Sequence, residues 1–140
     1  MDKRRELQEA QEALERVKEI IQEVKSELQS AKNWGLFDMI AGDMFASLIK
    51  RDKISKVNSR MDYLRRVLQE AQKELADVNI TLASEISNSS SDYFWDVWFD
   101  NIFTDFRVQG ELDKVAENIN QLERQVGLAL KDVKAALKVL

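Results

Sequence analysis

Asp96, Asp100 and Asp105 come closest to a reactive cluster in this chain. Asp96 and Asp100 are four residues apart and share one face of a helix. Oxygens converging at about 2.0–2.6 Å would suit Ca²⁺ or Mg²⁺. No DxDxDG-type spacing accompanies them. A water-facing helix side, or Asp near a helix start complementing the dipole, accounts for the same three residues. They stand as candidate cation ligands beside that plainer reading. Other chemistry is removed by absence, since the chain has no His and no Cys. That excludes a Ser-His-Asp triad, a Cys nucleophile and a disulfide. Typical structural zinc sites and Glu-x-x-His di-iron sites go with them. The expectation is a non-enzymatic protein without a cofactor.

Aromatic residues are the second candidate. Of 11 aromatics, seven fall within residues 93–106 and three within 33–50. Phe94-Trp95, Trp98-Phe99, Ile102-Phe103 and Phe106 recur every four residues, which makes a wide apolar face on a short helix. Seven rings are more than one short helix buries on one face. Phe94, Trp95, Trp98, Phe99 and Phe103 are therefore candidate interface residues. The alternative is that they plug the end of a bundle.

Charge narrows the partners. The 140 residues carry 21 basic and 25 acidic side chains, a net charge of −4. Residues 1–32 carry 7 basic and 8 acidic, 51–86 carry 7 and 6, and 108–140 carry 5 and 5. Residues 87–107 carry 1 and 4. No segment has the clustered positive field that a phosphate backbone requires, so nucleic acid is not expected. The partner expected is a second copy, forming a homodimer, or another protein. A membrane surface is the runner-up, because short helices with Trp and Phe resemble interfacial anchors. A cation-dependent or small-ligand protein is the third reading. Met1 to Glu6 runs directly into charged sequence, and no 18-residue apolar stretch follows, so a cytoplasmic location is the default expectation.

The elements that would position these residues are legible from spacing. Leu7, Ala10, Leu14, Val17, Ile21, Val24 and Leu28 alternate at three and four residues. Ile54, Val57, Met61, Leu64, Leu68, Ala71, Leu75, Val78 and Leu82 do the same, as do Leu112, Val115, Ile119, Leu122, Val126, Ala129, Val133, Ala136 and Leu140. This heptad pattern keeps an apolar stripe on one face of supercoiled helices. Long helices are expected at about 2–31, 52–86 and 110–139, and short aromatic amphipathic helices at about 35–49 and 92–106. With no Pro and only four Gly, a turn-rich β fold is excluded.

Two units align at an offset of 58 without gaps. Phe37 falls on Trp95, Asp38 on Asp96, Phe45 on Phe103, Val57 on Val115 and Leu64 on Leu122. Shared heptads align by register alone, but the aromatic-Asp pair and the equal distances do not. An internal repeat of 37–82 and 95–140 is the reading. Trp34-Gly35-x-x-Asp38, then Gly42, then Lys50 to Ile54, together with Tyr93 to Gln109, resembles a group of uncharacterised bacterial all-helical proteins. The resemblance covers the two connectors and implies a fold, with no activity to carry over. The fold expected is all-α: one domain over 1–140, with three long helices in an antiparallel up-down-up bundle and the short helices at its joints.

Overall fold

A computed structural model describes residues 2–41, 44–80 and 112–140, with side chains over 2–30, 55–80 and 115–140. The described residues are helical and packed together. Helix α1 is Lys3–Ala41, α2 is Met44–Asp77 and α3 is Leu112–Lys138. At 1.5 Å per residue these rods are about 58, 51 and 40 Å long. Asp2 starts the first: its Oδ1 accepts from the Arg4 backbone N–H at 3.0 Å, satisfying a donor that no turn precedes.

The stripes face inward as their period demands. Every residue from Leu7 to Leu28 in the first stripe is buried, as are Val57 to Leu75 in the second and Val115 to Val133 in the third. Ala13, Ile20, Val67 and Leu130 widen them by one position each. Val78 and Ala136 are partly buried, and Leu140 is exposed. Among the described residues no polar or charged residue is buried.

The boundaries differ from those the sequence suggests. The first helix runs ten residues past 31, and the second begins at Met44 instead of 52. The separate short helix at 35–49 is therefore replaced by the end of α1 and the start of α2, with only residues 42 and 43 between. The physical reason is that nothing there breaks a helix. There is no Pro, and Gly35, the one glycine inside α1, costs only about 1 kcal/mol relative to Ala. The Trp34-Gly35-x-x-Asp38 motif thus lies within α1. The expected helix at 92–106 lies outside the described residues.

The second helix stops nine residues before 86. Asn79 adopts a left-handed φ of 59°. The Ile80 N–H donates to the Leu75 carbonyl at 2.9 Å, and the Asn79 N–H to the Ala76 carbonyl at 3.2 Å. This is a complete Schellman stop, with Ile80 packed against the core cluster that contains Leu75.

Cross-helix pairs give the directions. Arg16 pairs with Glu70 at 3.4 Å, and Glu23 with Arg60 at 3.6 Å. Partner numbers fall as α1 numbers rise, so α1 and α2 are antiparallel. The sequence midpoints of those pairs, 43 and 41.5, fall between the last residue of α1 and the first of α2. On the other side, Lys25 Nζ donates to Glu123 at 3.0 Å, whereas Lys18 lies across a groove from Gly127, Lys131 and Lys138. Here too the numbers fall. Helix α3 therefore runs in the same sense as α2, which corrects the up-down-up order. That order assumed a connector too short to bring the chain back along the rod. Because α2 ends early, residues 81–111 separate Ile80 from Leu112, and extended chain of that length spans about 100 Å. Helix α1 is the common partner, with α2 and α3 approaching each other less closely.

Candidate functional site

The candidate residues Phe94, Trp95, Trp98, Phe99 and Phe103, and the candidate cation ligands Asp96, Asp100 and Asp105, lie outside the described residues. Among the described residues no cluster of three or more carboxylates is placed to hold a metal ion. No described helix is long and apolar enough to cross a membrane.

What the described structure does assemble is a face on α3. Its stripe from Val115 to Val133 points into the core. The helical period then sets positions 124, 127, 128, 131, 134, 135 and 138 on the outside. Lys131, Lys134 and Lys138 are exposed there around Gly127, and Arg124 stands one turn earlier. Lys131, Lys134, Lys138 and Gly127, together with Lys18 of α1, line a groove of about 480 Å³, floored by Leu130. Among the described residues none of these four lysines makes a salt bridge. One turn before Gly127, Glu123 accepts from Lys25 and from Gln22 Nε2, tying α3 to α1. Along the other flank lie Leu128, 54% exposed, exposed Ala135, and Val139, 84% exposed. No side chain lies within 4 Å of where a Cβ on Gly127 would stand, so the groove is open at that point.

Sequence reasoning missed this face because it summed charge over 108–140, where the signs cancel. Read along the helix they segregate. Residues 124–140 hold Arg124, Lys131, Lys134 and Lys138 against Asp132 alone. Four of the five acids precede Arg124. A helix dipole favours cations only within the last turn, which accounts for Lys138 and not for the others.

The seams differ in chemistry. Between α1 and α2 the flanks are apolar, with Ala13, Ile20 and Val67, and are rimmed by the Arg16–Glu70 and Arg60–Glu23 pairs. At one end Glu74 carries a pKa above the usual carboxylate value. Desolvation is the main cause, and Glu9, Asp77 and Glu70 add like-charge repulsion that Arg16 partly offsets. On the flank facing away from that seam, α2 carries Asn58 and Gln72, while α3 carries Gln125. Their side-chain oxygens are shielded from water and, among the described residues, accept no hydrogen bond. An amide carbonyl left so costs stability, and it suits helices that approach less closely.

Comparison of the chain with family models, curated proteins and solved structures gives no match.

Proposed function

We propose that this protein is a non-enzymatic helical module that acts by association, with a second copy of itself or with a protein partner. Phe94, Trp95, Trp98, Phe99 and Phe103 form the contact surface. One observation supports this reading above others. The 23 buried core residues of the described helices are all Leu, Ile, Val, Ala or Met. Among the described residues the core is therefore aliphatic. Tyr63, the one aromatic with a described side chain, is 41% exposed, with the Arg66 guanidinium over its ring at 5.5 Å. Rings concentrated within residues 93–106, with Asp96, Asp100 and Asp105 interspersed among them in sequence, suit an interface with an apolar centre and a polar edge.

The bundle itself is read as a coiled-coil-like hairpin plus a repeated helix. Six core positions of α2, from Val57 to Leu75, match six of α3, from Val115 to Val133, at the offset of 58. Both helices run opposite to α1, as two copies of one unit would. The test of association is sedimentation velocity over a wide concentration range. The parent is expected to self-associate, and Trp98→Ser to shift it toward monomer with helicity retained. A parent that stays monomeric and captures no partner, with Trp98→Ser costing stability alone, would make the ring a core plug and end the proposal.

A further inference from the structure

We infer that the outer face of α3 is a docking site for an anionic phospholipid surface. The face combines two features that are rarely adjacent by accident. Lys131, Lys134 and Lys138 lie within about 60° of one another on the helix, at 100° per residue, and Lys18 stands across the groove. Leu128 and Ala135 lie beside them, turned about 80–100° from Gly127, and Val139 follows just past the helix end. Leu128 and Val139 are among the few large apolar side chains exposed anywhere in the described residues.

Charge complementarity selects the occupant. Among the described residues these lysines make no salt bridge, in a chain whose net charge is −4, and the acids nearest in sequence to the groove residues are Glu15, Glu19, Glu123 and Asp132. Nucleic acid would use the lysines and leave the aliphatic side chains in water. A headgroup layer uses both. Lysines meet the phosphates and carboxylates of the headgroups while the aliphatic side chains enter the boundary with the acyl chains. Helix α3 can do this without unfolding, because its opposite face stays on α1 and these side chains already point outward. This face is built from described residues of α1 and α3 alone, and its argument does not draw on the aromatic segment.

The experiment is co-sedimentation of the full chain with vesicles of phosphatidylserine and phosphatidylcholine, against vesicles of phosphatidylcholine alone, at low and high salt. The parent should bind the anionic vesicles, ignore the neutral ones and weaken as salt rises. Each lysine near such a surface is worth about a fivefold change in partitioning. The variant K131Q/K134Q/K138Q should therefore bind about a hundredfold more weakly, with unchanged helicity because all three side chains are exposed. Leu128→Ser should weaken binding by a few-fold at every salt concentration. Three results would overturn the inference: no binding to anionic vesicles, as an acidic protein partner would give; equal binding to neutral vesicles; or a triple variant that binds like the parent, which would assign the contact to the aromatic segment.

Discussion

Leu64 and Leu122 occupy matching places in α2 and α3, and neither exposes any surface. A carboxylate there would be buried without a partner, at a cost of several kcal/mol against a typical total stability of roughly 5–15. Leu64→Asp and Leu122→Asp should each unfold the protein or nearly so. A thermal melt within a few degrees of the parent would mean the stripe does not face the core. Glu74 offers a gentler test. Its folded-state pKa is raised, chiefly by desolvation and then by Glu9, Asp77 and Glu70. The folded protein thus holds that proton more tightly than the unfolded chain. Its contribution is most favourable below the ordinary carboxylate value near 4.5 and is lost as pH rises through the raised pKa. Glu74→Gln should therefore raise the melting temperature at pH 7. That gain should vanish below about pH 4.5. A pH-independent gain would assign it to packing instead of charge.

At the scale of elements, the end of α2 rests on one residue. Asn79 sits at φ 59°, a conformation that costs a β-branched side chain about 1–2 kcal/mol. Asn79→Val should destabilise by about that amount, and Asn79→Gly should match or exceed the parent, because Gly enters this region without strain. Chemical denaturation resolves the two. If Val is tolerated as well as Gly, the Schellman stop does not set the helix end. The sequence carried this signal, since Asn is the usual substitute for Gly at that position. The heptad ran on through Val78 and Leu82, and periodicity hid it.

At the scale of the molecule, the direction of α3 is the decisive feature. In the described arrangement residue 18 faces residue 131, while residue 117 lies about 21 Å further along the rod. An up-down-up bundle would reverse the order. The chain contains no cysteine, so pairs introduced for spin labels are unambiguous. Lys18→Cys with Lys131→Cys should give a clearly shorter label distance than Lys18→Cys with Glu117→Cys. The opposite ranking would restore the up-down-up order and separate Lys18 from the α3 lysines.

The sequence by itself determined the class and the core. A strict three-four alternation can be buried only as a helix stripe, and the residues it named from Leu7 to Leu28, Val57 to Leu75 and Val115 to Val133 are the buried ones. It also bore the evidence for the α3 face, in the sign order from Arg124 to Lys138, although summed charge concealed it. Periodicity says which side of a helix is apolar and is silent on which way a neighbour runs, because a stripe reads alike in both directions. Direction came from tertiary contacts, through Arg16 with Glu70 and Lys25 with Glu123. The run of α1 through Gly35 to Ala41 was equally invisible, since one Gly inside a helix costs too little to mark its end. Those choices rest on side chains meeting across seams, and only the folded molecule brings them together.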